Sequence, residues 1–151
     1  MVEMITSPLL GDIEVDENKV INFPRGMIGF SDYKKYLLLE DGEVPFWYLQ
    51  SIEKEELFFV LIDPVKFFTG YTVEVEKETL KEIELDSLED GAVLTPVTIP
   101  EEGVNKATAN LQGPVIINTK KGLAMQLVLH PSEYTTKHPL FNETKKASGE
   151  D

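Results

Sequence analysis

Carboxylates and two histidines are the side chains that could carry chemistry in this chain of 151 residues. Asp12, Glu14 and Asp16 are spaced by two, which places all three carboxylates on one face of a strand. They could gather a divalent cation, but no glycine-bearing calcium loop surrounds them, and we favour a solvated strand face. His130 and His138 each precede a proline, and a metal-binding barrel would need more ligands at strand spacing. We therefore expect no metal site and no cofactor.

The usual signatures of catalysis are also missing from the sequence. The chain has no cysteine, which excludes a thiol nucleophile, a disulfide scaffold and sulfur-ligated zinc. Neither a G-x-S-x-G elbow nor a Walker A loop occurs. Paired carboxylates for hydrolysis stay open because acidic residues occur throughout. We predict that the protein is not an enzyme. The alternative is a carboxylate-dependent hydrolase with an all-β fold, which would need a deep cleft holding two facing carboxylates.

The charge balance points to the class of partner. The formal net charge is −13, from 27 acidic residues against 14 lysines and arginines, of which only Arg25 is an arginine. Residues 1–104 carry a net charge of −15 and residues 105–151 a net charge of +2. Direct binding to nucleic acid is not expected, because phosphate contacts need clustered Lys and Arg. A basic protein partner suits this charge, although acidity also simply maintains solubility.

Short apolar runs separated by turn residues dominate the sequence and predict strands. The strongest signal is a hairpin whose runs, Val115–Ile117 and Leu123–Leu129, flank a polar turn that ends in Gly122. Both runs are nearly continuous, so we expect both of their faces to be covered. The other predicted strands are 12–16, 19–23 (returning on the first), 36–40, 46–50, 57–62 (the central strand), 72–76 and 93–99. Pro96 marks the last as an edge or bulged strand.

Helix signals are few and short. Thr79 with Glu82 fits a capping box, and Ser87 with Asp90 repeats the pattern. Both lie in residues 74–90, which hold eight acidic and two basic side chains and form the densest acidic stretch. We call this stretch the acidic segment.

Together these patterns predict an all-β, single-domain protein with one or two very short helices, either a partly open antiparallel β-barrel or a sandwich. We place the domain at residues 1–141 and expect residues 142–151 to be a disordered tail. No apolar run is long enough to span a bilayer, and the first residues do not read as a signal peptide. We expect a cytoplasmic protein without membrane contact.

Several stretches, in order and spacing, resemble the flagellar assembly factor FliW family. The resemblance covers residues 3–141, with one departure at Gly113, where the family more often has alanine. The stretches are FPRGMIGF (23–30), PFWYLQS (45–51), FFVLIDP (58–64), the acidic segment, ANLQGPVIIN (109–118) and a strand containing Gln126.

The resemblance implies a cytoplasmic bacterial protein with two protein partners and no catalysis. One partner is CsrA, a small basic RNA-binding dimer that represses translation of flagellin mRNA, and the other is flagellin. Members of this family bind CsrA and relieve repression, and free flagellin takes them away again. The implied function is a switch that couples flagellin synthesis to assembly.

Three sets of residues are our candidates for partner contact. For CsrA they lie in the acidic segment: Glu74, Glu76, Glu82 and Glu84. A flagellin chaperone surface would consist of apolar residues near the hairpin or in the loop at 23–30, where the candidates are Met27 and Phe30. This loop either caps the core or forms a contact surface. We also expect Asn110, Gln112 and Asn118 to be exposed at the ends of the hairpin. All three are candidates for partner contact, with backbone or turn hydrogen bonding as the favoured role.

Overall fold

The computed structural model describes residues 3–8, 10–40, 45–129 and 134–141. These residues form eleven strands, two short α-helices and three single turns of 3-10 helix. The strands are β1 (Glu3–Ser7), β2 (Gly11–Val15), β3 (Val20–Asn22), β4 (Lys35–Glu40), β5 (Trp47–Ser51), β6 (Phe58–Ile62), β7 (Ala92–Thr98), β8 (Thr108–Ala109), β9 (Val115–Asn118), β10 (Leu123–Gln126) and β11 (His138–Pro139). The helices are α1 (Pro64–Phe67) and α2 (Lys77–Lys81), and the 3-10 turns are Glu17–Lys19, Leu88–Asp90 and Val104–Lys106.

Seven strands close into a barrel. The hydrogen-bonded order is β7-β6-β5-β4-β3-β10-β9, and β9 pairs back onto β7. All of these pairs are antiparallel except β3 with β10, which are parallel. β8 extends the sheet from the second half of β7, and β11 pairs with β8. The predicted all-β barrel with very short helices is confirmed, and of the two architectures left open the structure has the barrel.

The β9–β10 hairpin closes the ring, as the apolar runs predicted. Every residue of β9 is buried, and so are the two central residues of β10. The connecting turn is held by the backbone N–H of Gly122, which donates to the carbonyl of Asn118 at 2.8 Å. Gly122 adopts φ +66°, a conformation that disfavours residues with a side chain. The predicted hairpin is confirmed, and the first run is covered on both faces; the second strand ends at Gln126, and Val128 beyond it is 48% exposed, so the second run is covered only in part.

Pro96 lies inside the barrel wall, so of the two alternatives predicted for its strand, an edge strand or a bulged strand, the edge strand is wrong. β7 pairs with β6 along one side, while its other side changes partner, from β9 at Ala92–Leu94 to β8 at Val97–Thr98. Pro96 occupies the gap between these two partners, where its missing N–H leaves no ladder bond unmade. Its carbonyl accepts from the N–H of Asn110 at 2.8 Å.

Apolar clusters cover both surfaces of the barrel wall. The interior contains ten buried residues: Ile21, Phe23, Met27, Tyr36, Leu49, Leu61, Leu94, Val115, Ile117 and Ala124. Outside, the β1–β2 hairpin covers β4 around Leu37. The acidic segment covers β9 and β10 around Ile116 and Met125. A third cluster covers Ile62 with residues of the α1 region and β8. Because each cluster seals a different part of the wall, the strands are nearly continuously apolar.

Three local predictions are wrong. Residues 72–76 are not a strand; the predicted alternation of burial is present, but the segment has no strand partner. Its Val73 and Val75 pack into two different outer clusters. Thr79 is not a cap, because α2 starts at Lys77 with Glu76 at the N-cap position. β3 does not return on β2; it pairs with β4 and β10. The predicted tail at 142–151 and His130 lie outside the described residues.

Candidate functional site

The acidic segment runs over the outer wall of β9 and β10. Its apolar residues Leu80, Ile83 and Leu85 are buried against that wall, which turns the intervening charged side chains outward. The four carboxylates predicted for partner contact, Glu74, Glu76, Glu82 and Glu84, are all exposed. Ser87 caps the turn Leu88–Asp90 by accepting from the N–H of Glu89 at 3.2 Å. The predicted cap at Ser87 and Asp90 is therefore confirmed at Ser87, where it begins a turn of 3-10 helix.

Asn118 holds this segment to the hairpin, and the prediction that it is exposed is wrong. Only 4% of the residue is accessible. Its Nδ2 donates to the carbonyls of Ile83 at 2.8 Å and Glu84 at 3.2 Å, while its Oδ1 accepts from the N–H of Lys121 at 3.2 Å. Glu84 has φ +59°, an uncommon conformation for a residue with a side chain. The bonds from Asn118 thus hold the backbone of the acidic segment at its sharpest bend.

Two ion pairs join carboxylates of the acidic segment to the loop at 23–30 and to the hairpin turn. Arg25 contacts Glu82 with 2.6 Å between Nη2 and Oε1, and Lys121 contacts Glu84 with 3.8 Å between Nζ and Oε1. All four side chains are at least 39% exposed, so each pair contributes little to stability. The Arg25 pair joins the acidic segment to the second candidate surface, since Arg25 belongs to the loop at residues 23–30.

The loop at 23–30 closes one end of the barrel. Phe23 is fully buried with its ring edge-on to Tyr36, 5.1 Å between centroids, and Met27 is 2% exposed. Gly26 has φ +70°, and a Cβ there would lie 2.7 Å from the Cα of Ser31, so only glycine fits without displacing backbone. Met27 is a core residue and is not available for partner contact. Of the two readings of this loop, capping the core holds for Met27.

Apolar side chains from the same loop reach the surface. Ile28 is 53% exposed and Phe30 is 40% exposed, with the Phe30 ring edge-on to Phe59 at 5.3 Å. Val128, 48% exposed, lies across a hollow of about 300 Å³ that Ile28 and Phe59 also line. We call Ile28, Phe30, Phe59 and Val128 the loop-end surface. Phe30 is thus accessible, as a contact-surface interpretation of the loop requires.

Gln126 ties the loop to the hairpin and was not among the predicted site residues. Its Oε1 accepts from the N–H of Ile28, and its Nε2 donates to the carbonyl of Gly113, both at 3.0 Å. A Cβ on Gly113 would lie 2.8 Å from the Nδ2 of Asn110 and 3.0 Å from this Nε2. Asn110 is half-buried, and its Oδ1 accepts from the N–H of Gln112 at 3.1 Å. Asn110 and Gln112 are thus half-buried, not fully exposed, and Asn110 has the turn role expected of it. The sequence feature that could have identified Gln126 as a positioning residue is that it is a polar residue within an apolar run.

A cavity of about 610 Å³ lies at the opposite end of the barrel, beside α1. We call it the α1 cavity. Glu40 and Asp63 both line it, which is the pairing that the hydrolase alternative required. Asp63, however, caps α1 by accepting from the N–H of Val65 at 3.3 Å, and neither carboxylate is buried. Desolvation, which prepares a carboxylic acid to donate a proton in such enzymes, is therefore missing here.

In the part of the chain that the structure describes, no group of three or more His, Asp or Glu side chains is placed to hold a metal ion. No helix in the described ranges is both long and apolar enough to cross a membrane.

Comparison with known proteins gives one consistent result. Residues 4–140 match the family model described as "FliW protein". The chain is 58% identical over 140 residues to the flagellar assembly factor FliW of Natranaerobius thermophilus, covering 92% of this chain and 93% of that protein. It is 39% identical to the Treponema denticola protein of the same name, covering 95% and 97%. A crystal structure of the flagellar assembly factor FliW superposes with a TM-score of 0.86 at 36% identity, covering 92% of this chain and 97% of that one.

Proposed function

Because the chain belongs to the FliW family of flagellar assembly factors, we propose that it acts in the cytoplasm by binding two proteins. The first is the basic RNA-binding repressor CsrA, whose hold on flagellin mRNA it relieves. The second is flagellin, which withdraws it from CsrA. In this proposal flagellin synthesis falls as flagellin that awaits export accumulates, and it resumes when that flagellin has been exported.

The observation that supports CsrA binding is the exposed, structurally fixed acidic segment. Its backbone is tied down by Asn118, and its apolar residues are buried, so its carboxylates are presented on a fixed surface. A fixed array of one sign of charge raises the rate at which an oppositely charged partner associates. A basic dimer is the partner for which such an array is suited.

Two physical routes lead from binding to release of RNA. The carboxylates could occupy the RNA-binding face of CsrA directly. Alternatively, the protein could dock elsewhere and weaken RNA binding through its electric field or through a change in the shape of CsrA. The family resemblance favours docking away from the RNA face.

Neutralising the acidic segment tests its role. We expect the quadruple variant Glu74→Gln, Glu76→Gln, Glu82→Gln, Glu84→Gln to associate with CsrA at least about tenfold more slowly at low ionic strength, because steering by the segment is lost. Its rate should also depend less steeply on salt, since fewer charges remain to be screened. Stopped-flow association at several salt concentrations measures both quantities.

A second quadruple variant provides the control at equal net charge. Glu14, Glu17, Glu101 and Glu102 are exposed and lie outside the acidic segment. Changing all four to Gln should leave most of the association rate and its salt dependence intact. If both variants slow association equally, net charge and not the acidic segment attracts CsrA; if neither does, this part of the proposal is wrong.

The loop-end surface supports flagellin binding. Exposed Ile28 and Val128 line the same hollow as Phe59, and the exposed ring of Phe30 packs against Phe59. This apolar surface suits an apolar segment of a partner. The same loop also carries Arg25, which contacts Glu82 of the acidic segment. The two proposed surfaces therefore meet at this ion pair.

A further inference from the structure

The α1 cavity has the size and lining of a binding site. Its volume of about 610 Å³ falls within the range of roughly 300–1,000 Å³ typical of ligand pockets. Most of the lining is apolar, including Phe46, Trp47, Tyr71 and Leu94. The Tyr71 hydroxyl is already used, because it donates to the carbonyl of Leu111 at 2.7 Å. The cavity is therefore suited to an apolar or aromatic group.

The border of the cavity is acidic. Among the described residues that line it, Glu40 and Asp63 are acidic and Lys66 alone is basic. The acidic segment continues this border, because the lining residue Val73 directly precedes it and the lining residue Leu88 belongs to it. A group that enters the cavity thus passes beside carboxylates, which favour neighbouring positive charge.

We propose that the α1 cavity receives a large apolar side chain of a basic protein segment, whose flanking lysines or arginines contact Glu40 and the acidic segment. This inference rests on the proposed function, since it adds an apolar anchor to the charged contact with a basic partner. Buried apolar anchors supply most of the affinity at protein interfaces, while charges at the rim mainly set the rate of association. In this proposal the cavity supplies affinity, and the acidic segment sets the rate of association.

Trp47 gives a direct readout, because it lines the cavity and is the sole tryptophan of the chain. The probes are three synthetic peptides, Lys-Lys-Phe-Lys-Lys, Lys-Lys-Gly-Lys-Lys and Glu-Glu-Phe-Glu-Glu, and the uncharged N-acetyl-phenylalanine amide. We expect a saturable change in tryptophan emission with the first peptide, at a concentration at least tenfold below that needed for the other three. Equal responses to all peptides, or none to the first, would overturn the proposal. Equal affinity for the uncharged amide would assign the cavity to a small apolar ligand instead.

Two pairs of variants locate the effect. Val65→Phe adds bulk at the cavity border, and Val104→Phe is its control: these valines are 56% and 47% exposed, and Val104 does not line the cavity. Glu40→Lys reverses a border charge, with Glu14→Lys as its control. We expect the cavity variants to weaken binding of Lys-Lys-Phe-Lys-Lys at least tenfold and the controls to weaken it less than twofold. Binding unaffected by Val65→Phe would place the peptide elsewhere.

Titration with CsrA separates this inference from the proposed function. If wild-type protein binds CsrA and Val65→Phe binds it equally well, the proposed function stands and the anchor site is wrong. If wild-type protein does not bind CsrA but shows the expected peptide response, the proposed partner is wrong, and the cavity still receives an apolar side chain of a basic segment.

Discussion

Two side-chain amides, Asn118 and Gln126, position both candidate surfaces. Each sits on the hairpin that closes the barrel, and each bonds to backbone of a distant segment. Asn118 holds the acidic segment, and Gln126 holds the loop at 23–30. From the sequence, Asn118 has the pattern of an ordinary turn residue, because its turn hydrogen bond is local. Its bonds to Ile83 and Glu84, by contrast, depend on a contact about 35 residues away in the chain.

Replacing Asn118 should destabilise the whole protein. Asn118→Asp removes both donated hydrogen bonds and sets a carboxylate against two carbonyl oxygens, so we expect the free energy of unfolding to fall by about 2–3 kcal/mol. Urea denaturation measures this change. Asn18→Asp, at an exposed position, should change stability by less than about 0.5 kcal/mol. Equal stability of Asn118→Asp and wild type would contradict the role of these hydrogen bonds in holding the acidic segment.

Two buried tyrosines should behave oppositely when each loses its hydroxyl. Tyr71 donates a hydrogen bond to Leu111, so Tyr71→Phe should cost about 1 kcal/mol. The Tyr36 hydroxyl is buried without a hydrogen-bond partner among the described residues, so Tyr36→Phe should be neutral or stabilising. Thermal or urea unfolding at neutral pH compares the two. A larger loss for Tyr36→Phe than for Tyr71→Phe would contradict this assignment.

The same pair predicts a loss of stability in alkali. Burial, assisted by the Glu53 carboxylate and Tyr33, raises the pKa of Tyr36 to about 12, and burial raises the pKa of Tyr71 further. A raised pKa favours the neutral form in the folded state. Stability is therefore complete below the unfolded pKa of about 10 and falls as the pH rises toward 12. Tyr36→Phe should lose less stability than wild type over this interval.

At the scale of elements, partners that are distant in the chain decide the structure. Residues 72–76 alternate as a strand would, and the alternation correctly predicts that Val73 and Val75 turn inward. The alternation does not show whether a neighbouring strand is present to pair with. Because none of the described strands pairs with residues 72–76, the segment only connects two apolar clusters. Pro96 shows the converse: a residue typical of edges is accommodated within the wall, because two short strands, β9 and β8, succeed each other beside β7.

The loop at 23–30 divides its residues between core and surface, and this division can be tested. Ile28→Ser should weaken flagellin binding at least about tenfold, because it removes an exposed apolar contact while its backbone N–H still bonds to Gln126. The melting temperature of Ile28→Ser should stay within a few degrees of that of the wild type. Met27→Ser should instead lower the melting temperature strongly, because Met27 lies in the core.

Val104→Ser is the control for this experiment, since Val104 is also an exposed apolar residue and lies outside the loop-end surface. It should bind flagellin as wild type does. Flagellin binding that is unchanged in Ile28→Ser would remove the loop-end surface from the proposal.

For the whole molecule, the sequence was most informative where one residue type repeats over a long stretch. Continuous apolar runs predicted a covered β structure, and the covering elements are the β1–β2 hairpin, the acidic segment and the α1 region. Charge counts located the acidic segment without any knowledge of the fold. The α1 cavity could not be foreseen, because its lining comes from six separate stretches between Glu40 and Leu94 that only the closed barrel brings together.

The central claim is that this acidic barrel releases RNA from CsrA and that flagellin reverses the release. It is tested most directly by the fluorescence anisotropy of labelled flagellin leader RNA bound to CsrA. Adding the purified protein should lower the anisotropy to that of free RNA, and adding flagellin afterwards should restore it. Anisotropy that stays high at saturating protein, with CsrA still on the RNA, would contradict the account.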